Sequence, residues 1–536
     1  MISLRPDRSL LRAAASSRRH IVVGIEAPEA APGKGRLPVN LAFVIDRSGS
    51  MHGAKLEHAR KAVVAGVRAL ADRDRFAVVS YDDRVEVVVP SIEATAGIRE
   101  RAARAVADVE ARGNTDLHGG WLKGCQMVKA RLAPQEVGRC LLLTDGLANR
   151  GETDHGEIVR QCASWRDEGV VTSAFGVGAD FDEVLLRRIA DAGGGNFHFI
   201  ESAVQIGDFI AGEVGETLST TVREGVLVVD AGEDAVVESL NDFPCRREGA
   251  FWRIAFGSLT AGQKLEPILS VTLPAGEAGK SRDVVVRVED KDGALGQASA
   301  TVRFTWASEP EIAREPSDRA VDRQVAALDA ARAERDALER NRMGDYDGAR
   351  KAIEDVIARI REYAGDDLEL RRLVSSLQEK AVLYGRAIEP IASKTLHSIS
   401  SWTLRGRLLE MARQKALQLA APPSGSSGTP NSLIVPSEWD VETAVEEALK
   451  KAAAATPALS DLDASALASS LSHADVRGCL LDPSVTKEGA VELQFEAPNL
   501  CRGCQRALDE AGLPSARISE IVEALRLLGT PSGVVH

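Results

Sequence analysis

Residues 41–50 read Leu41-Ala42-Phe43-Val44-Ile45-Asp46-Arg47-Ser48-Gly49-Ser50, an apolar run that ends in one carboxylate and two hydroxyls. Five consecutive apolar residues bounded by a polar, Gly-containing loop have the pattern of a strand buried on both faces. In sheets of that kind ligands gather at the carboxyl ends of the strands, which is where Asp46, Ser48 and Ser50 fall. Hard oxygen donors suit Mg²⁺. A single carboxylate among neutral oxygens leaves a divalent ion under-neutralised, so the ion keeps waters and accepts one further anionic oxygen from outside. The pattern points to binding rather than catalysis.

Outward from this stretch, residues 38–213 alternate strand-like runs with helical periodicity. The strands expected are Val39–Ile45, Phe76–Tyr81, Val85–Val89, Cys140–Thr144, Val170–Phe175 and Asn196–Ile200, with amphipathic segments at Lys55–Leu70, Leu117–Ala133, Glu157–Arg166 and Glu183–Ala192. This rhythm predicts a doubly wound α/β domain with a mostly parallel sheet. Two further loops reach the same edge. Gly113-Asn114-Thr115-Asp116 precedes a helix and presents a hydroxyl, and Leu141-Leu142-Leu143-Thr144-Asp145-Gly146 ends a second buried strand in a carboxylate.

With these three loops together, residues 37–213 resemble the von Willebrand factor type A (VWA) domain. The resemblance implies a metal-ion-dependent adhesion site with Asp46, Ser48, Ser50, Thr115 and Asp145 as ligands of Mg²⁺, or of Ca²⁺ or Mn²⁺. It further implies a coordination position filled by water or by an Asp or Glu of a partner protein. The competing reading has Asp46 and Ser48 simply capping a helix that begins near Ala54. Cys125, Cys140 and Cys162 fall on apolar faces of this domain and read as core packing.

The flanks extend the architecture. His20–Glu26 reads as a strand, and a Pro/Gly-rich stretch from Pro28 to Pro38 leads into the α/β domain. After it, Gly225–Asp230, Phe251–Phe256, Leu265–Leu273, Ser281–Glu289 and Ala298–Trp306 alternate apolar and polar residues, as strands of an antiparallel sandwich do. The leading strand lacks a sheet of its own, so residues 1–36 and 214–308 are expected to form one discontinuous β-sandwich into which the α/β domain is inserted. That arrangement resembles bacterial VWA proteins of the calcium-activated chloride channel class and, more distantly, integrin β chains.

Residues 309–420 turn helical in composition. Arg323–Asn341 and Asp347–Tyr363 are separated by Gly344-Asp345-Tyr346, and Gly-Asp-Tyr-x-x-Ala is similar to the turn of a tetratricopeptide unit. One copy makes no repeat array, and a helical hairpin or short bundle is expected. Residues 421–434 form a Pro/Ser/Gly-rich linker. Residues 435–536 then read as a small α+β module with a strand near Ala490–Phe495.

Within that module Cys501-Arg502-Gly503-Cys504 is a lone Cys-x-x-Cys, with His473 and Cys479 upstream. These four residues permit a structural zinc site. Alternatively, His473, Cys501 and Cys504 resemble the zinc ligands of the nucleoside and nucleobase deaminases, which implies Asp475 as the proton shuttle. Asp475 stands where that family has Glu, and Pro498 is three residues before Cys501 rather than adjacent. The thiols are otherwise ordinary.

Composition narrows the function classes. With 536 residues the chain exceeds one core, and about 150 residues per domain suggests three or four. A formal net charge of −13 argues against bulk nucleic-acid binding. Seven cysteines, odd in number and mostly scattered, read as a reducing compartment. No run approaches the ~20 apolar residues of a membrane span, and the Arg-containing start lacks the apolar core of a signal peptide. The expectation is a cytoplasmic scaffold or adaptor that captures an acidic side chain of a partner through Mg²⁺. The alternatives are a recruiter–effector fusion with a deaminase-like enzyme at the carboxyl end, or an adaptor of an AAA+ ATPase or a bacterial conflict system.

Overall fold

The computed structural model describes residues 2–29, 36–406, 432–435, 482–485 and 491–494. Three strands come first: β1 (Ile2–Pro6), β2 (Leu10–Arg12) and β3 (Ser17–Glu26). β3 alternates strictly at its centre. Ile21, Val23 and Ile25 enter one hydrophobic core, whereas Val22 joins a different apolar cluster on the opposite face. A strand that buries both faces needs a partner layer on each side, and the chain supplies both only after residue 219.

The α/β domain intervenes. In chain order it comprises β4 (Val39–Asp46), α1 (Ala54–Ala69), β5 (Arg75–Tyr81), β6 (Val85–Glu93), α2 (Ala96–Ala107), α3 (Leu117–Lys129), β7 (Val137–Thr144), α4 (His155–Asp167), β8 (Val170–Val177), α5 (Glu183–Gly193), β9 (Gly194–Ile200) and α6 (Ile206–Leu218). The sheet order is β6-β5-β4-β7-β8-β9. All pairs are parallel except the β5–β6 hairpin. β4 is buried along its whole length because Leu41, Phe43 and Ile45 meet α1 and α6 on one face while Ala42 and Val44 meet α3 on the other. Helix α3 lies close to the sheet: a Cβ on Gly120 would come within 2.4 Å of the Tyr81 ring, and one on Gly124 within 2.3 Å of Val44. Helix α2 was not anticipated. It buries only Ala102 and Val106, too thin an apolar stripe to stand out among its arginines.

The strands β10 (Thr220–Asp230), β11 (Val236–Ser239), β12 (Cys245–Glu248), β13 (Phe251–Thr260), β14 (Lys264–Leu265), β15 (Ile268–Leu273), β16 (Ser281–Glu289) and β17 (Ser299–Ala307) follow. They combine with the leading strands into two sheets, β1-β3-β15-β11 with β14 beside β3, and β12-β13-β10-β16-β17-β2. The α/β domain is therefore inserted in a sandwich whose strands come from both sides of it. Two details differ from a simple antiparallel reading. β2 pairs with β17 in parallel, and the run Leu265–Leu273 is broken at Pro267, whose ring nitrogen has no hydrogen to donate to the ladder. The Pro267 carbonyl still accepts from the Val23 N–H.

The helices α7 (Glu309–Ile312), α8 (Arg319–Arg342), α9 (Tyr346–Ala364), α10 (Leu368–Tyr384) and α11 (Pro390–Leu404) complete this unit. Val321, Val325 and Leu328 of α8 cover Val22 and Ile268, the second face of the leading sheet. Helix α11 turns back onto the α/β domain. Its Lys394 Nζ donates to the Phe181 carbonyl at 2.6 Å and to Glu183, and Trp402 Nε1 donates to the Phe197 carbonyl at 3.2 Å. Beyond this unit, β18 (Ser432–Val435), β19 (Asp482–Val485) and β20 (Val491–Gln494) form an antiparallel sheet in the order β18-β20-β19. No helix among the described residues is long and apolar enough to cross a membrane.

Asp182 clasps the helices to the α/β domain. Its carboxylate caps α5 by accepting from the Val184 and Leu185 N–H groups, and it takes a bidentate pair from Arg342 of α8 at 2.8 and 3.0 Å. Burial alone would raise its pKa, but the Arg342 hydrogen bond, the Leu185 N–H and nearby His155 bring it down from 3.8 to about 2. A carboxylate lowered by folding stabilises the native state above its unfolded pKa. That contribution fades as pH falls from about 4 through 2. Asp182→Ala removes a cap worth about 1 kcal/mol and a half-exposed ion pair worth up to about 1 kcal/mol. Denaturant unfolding should report a loss of about 1–2 kcal/mol at pH 7, shrinking toward zero near pH 2. A loss independent of pH would show that Arg342 contributes nothing.

Candidate metal centre

Three loops converge at the carboxyl edge of the sheet. Asp46, the last residue of β4, is fully buried. Its Oδ1 accepts from the Ser48 N–H at 2.8 Å and its Oδ2 from Thr144 Oγ1 at 2.6 Å. Ser48 Oγ lies 3.1 Å from Ser50 Oγ, and Ser50 Oγ donates to Asp145 Oδ1 at 2.7 Å. Thr115 is held from behind by its N–H, which donates to Asn149 Oδ1 at 3.0 Å. A Cβ on Gly146 would lie 3.4 Å from Thr115 Oγ1 and 3.8 Å from Ser50 Oγ, so the threonine hydroxyl faces the same small space. All five residues singled out in the sequence thus meet, two carboxylates and three hydroxyls.

Helix capping does not account for the first loop. Gly53, at φ +83°, precedes α1, and a short 3₁₀ turn over Gly49–Met51 separates that helix from Asp46 and Ser48. Ser48 makes no side-chain capping bond.

Residues that the sequence reading did not single out hold the loops together. The Arg47 N–H donates to the Tyr81 carbonyl, and its guanidinium reaches Asp82 at 2.9 Å and Glu86 at 2.8 Å. Arg112 meets the same Asp82 oxygen at 2.7 Å, while its N–H donates to the Arg47 carbonyl. The Gly49 N–H donates to the Gly113 carbonyl. Burial pushes Asp82 upward, but Arg112, the Arg84 N–H and Arg47 together hold it below the ordinary carboxylate range. Thr144 and Lys55 also belong here: Lys55 Nζ, on the first turn of α1, donates to Asp145 Oδ2 at 2.6 Å.

The electrostatics favour a cation. Burial raises the Asp46 pKa from 3.8 to about 6, and the charge of Asp145 adds to that rise against the pull of the Thr144 and Ser48 hydrogen bonds. A buried carboxylate held beside a second one is stabilised when a positive charge enters. Every donor is oxygen, which fits a small hard divalent ion better than a soft one. Among the described residues no group of three or more His, Cys, Asp or Glu is positioned to hold a metal, so an ion placed here would meet the hydroxyls as well as the two carboxylates. Cys125, Cys140 and Cys162 are fully buried in the core beneath α3 and α4. His473, Asp475, Cys479, Cys501 and Cys504 lie outside the described residues.

Residues 39–199 match the family model of the von Willebrand factor type A domain. The uncharacterized protein YfbK of Escherichia coli K12 is 30% identical over 187 residues, covering 34% of this chain and 32% of that protein. Human inter-alpha-trypsin inhibitor heavy chain H4 is 32% identical over 209 residues, covering 37% of this chain and 22% of its own length. The chain thus spans about a third or less of these two relatives. Two solved structures share the fold more widely. A von Willebrand factor type A protein from Catenulispora acidiphila superposes with a TM-score of 0.56 at 18% identity, over 72% of this chain and 97% of that one. The ArnB paralog VWA2 from Sulfolobus acidocaldarius gives 0.51 at 16% identity, over 76% and 98%. Both overlaps exceed what the α/β domain alone supplies, so the likeness in fold extends into the flanking strands and helices. The α/β domain of this chain belongs to the von Willebrand factor type A family.

Proposed function

We propose that this chain is a protein-interaction scaffold or adaptor that binds Mg²⁺ through Asp46, Ser48, Ser50, Thr115 and Asp145 and uses that centre to capture an Asp or Glu side chain of a partner protein. The observation that carries the reading is the meeting of five oxygen-bearing side chains, two carboxylates and three hydroxyls, from three separate loops. VWA domains bind a divalent metal at this position and typically mediate protein–protein interactions. When bound, the ion would supply a positively charged, Lewis-acidic position for an external carboxylate.

The residues of this chain divide the work. Asp46 and Asp145 provide the charge, the three hydroxyls fill positions without neutralising the ion further, and Arg47, Asp82 and Arg112 keep the loops in register. Thr144 orients Asp46 from beneath. Calorimetric titration of the chelator-treated chain with MgCl₂ should show one saturable site, with Thr115→Val weakening it by about tenfold, the loss of one neutral ligand. Absence of binding by Mg²⁺, Mn²⁺ and Ca²⁺ alike would overturn the reading. A partner recruited through this site should be released by EDTA and by amidation of its contacting carboxylate.

A further inference from the structure

Lys55 is the one cationic side chain that touches the donor set among the described residues. It rises from the first turn of α1, which begins only eight residues after Asp46. Its Nζ lies 2.6 Å from Asp145 Oδ2, and a Cβ on Gly178 at the end of β8 would be 3.6 Å from that same nitrogen. The ammonium therefore sits among the ends of β7, β8 and α1, with its side chain 28% exposed while Asp145 is fully buried. Asp145 Oδ1 meanwhile accepts from Ser50. Each oxygen of this carboxylate already has a donor supplied by the chain.

Counting charges gives this contact its meaning. Asp46 and Asp145 supply two negative charges and Lys55 returns one positive, so the metal-free centre carries one uncompensated negative charge. Two carboxylates and a divalent ion would be neutral together, leaving an incoming carboxylate the local pull of the ion's open coordination position without a net positive charge behind it. With Lys55 present the loaded centre carries one net positive charge, which an external carboxylate neutralises.

We propose that Lys55 is a built-in counter-cation of the metal centre, one that weakens metal binding while making the loaded centre selective for an acidic ligand. This deepens the reading above and rests on it. The ammonium competes with the ion for the negative charge of Asp145, so the metal is held less tightly than the donor set would otherwise allow. Once the ion is bound, the same ammonium remains beside the centre as part of the field that attracts a carboxylate. The ion and the acidic ligand favour each other by the same factor in both directions, and Lys55 adds its own attraction for the ligand to that of the ion.

The test uses the full chain, MgCl₂ alone, and MgCl₂ with glutarate as a soluble dicarboxylate probe, read by calorimetry. Lys55→Met keeps the length of the stem and removes the charge, Lys55→Gln removes it with a polar end, and Lys55→Arg keeps it. Both neutral variants should bind Mg²⁺ about tenfold more tightly than the wild type, on the scale expected for deleting one like charge near a partly screened cation. Lys55→Arg should stay within about twofold. Glutarate should bind the Mg²⁺-loaded wild type about tenfold more tightly than either loaded neutral variant, and equal glutarate affinity in all three would overturn the selectivity assigned to Lys55. Mg²⁺ binding that is unchanged or weaker in both neutral variants overturns the role of Lys55 while leaving the metal centre intact. No Mg²⁺ binding by the wild type overturns the metal centre and the role of Lys55 with it.

Discussion

Asp46→Asn should abolish metal binding and at the same time leave the metal-free chain as stable as before, or more so. The side chain is fully buried at the end of β4, and burial beside Asp145 raises its pKa to about 6. Keeping that group ionised at neutral pH therefore costs the native state about 2–3 kcal/mol, at about 1.4 kcal/mol per pKa unit. Asparagine keeps the hydrogen bonds while discarding the charge. Its carbonyl oxygen can accept from the Ser48 N–H, and its amide can donate to Thr144 Oγ1, which reverses its present role as donor. Part of the recovered energy is lost because charge-assisted hydrogen bonds become neutral ones. The expected balance in chelator is a gain of about 0–2 kcal/mol by denaturant unfolding. Mg²⁺ affinity should fall by at least about a hundredfold, since a carboxylate ligand has become neutral. A variant that unfolds more readily in chelator would mean that Asp46 is retained for the fold rather than for a ligand. Retention of Mg²⁺ affinity within tenfold would remove Asp46 from the donor set.

The separation between metal donors and loop braces explains what was legible in the sequence. Asp46, Ser48 and Ser50 stand in one short stretch behind an apolar strand, and Thr115 and Asp145 each adjoin a recognisable helix start or strand end. Local pattern was enough to align them because strand ends in a parallel sheet share one edge. Lys55, Asp82 and Arg112 carry no such local mark. Their roles follow from distances between loops, and an Arg or Asp in a loop reads as solvated until its partner is known. Helix α11 falls within the stretch read as helical, but its docking on the α/β domain was hidden for a related reason. It buries Lys394, His397, Ser400 and Ser401 together with Trp402 and Leu404, so the face turned to the α/β domain is largely polar and leaves a weak apolar stripe at helical spacing. The insertion itself was legible because His20–Glu26 had strand character with no sheet recognisable beside it in the sequence; β15 and β14 from beyond the α/β domain pair with it, and so does β1 just ahead of it, which the sequence reading did not single out.

Glu213→Ala should be the most damaging single substitution outside the apolar cores, with an expected loss of about 3–5 kcal/mol, the usual consequence of leaving one buried charge without its partner. Glu213 is on α6 and fully buried. It pairs with Arg139 of β7, accepts from Ser173 Oγ of β8 at 2.7 Å and from Asn196 Nδ2 of β9 at 3.0 Å, and lies 2.8 Å from His198 Nε2. One carboxylate thus ties the last helix of the domain to three neighbouring strands. Burial by itself would raise its pKa, yet the Arg139 charge and the His198 and Ser173 contacts hold it well below the ordinary carboxylate range. Its contribution is accordingly present above the unfolded pKa of about 4.5 and disappears as acid protonates the native state. Glu213→Gln, which keeps acceptor and size but loses the charge, should fall between the wild type and Glu213→Ala. The double variant Arg139→Met with Glu213→Leu should recover much of the loss, because it removes both charges and fills their space with apolar atoms. A double variant no more stable than Glu213→Ala would assign the damage to Ser173, Asn196 and His198, left without their acceptor. Helix α6 passes directly into β10 of the sandwich, so the same substitution should also loosen the junction through which the α/β domain is held. Amide exchange across Ile206–Leu218 and Thr220–Asp230 should rise together, whereas a rise confined to α6 would show that the sandwich holds β10 without help from Glu213.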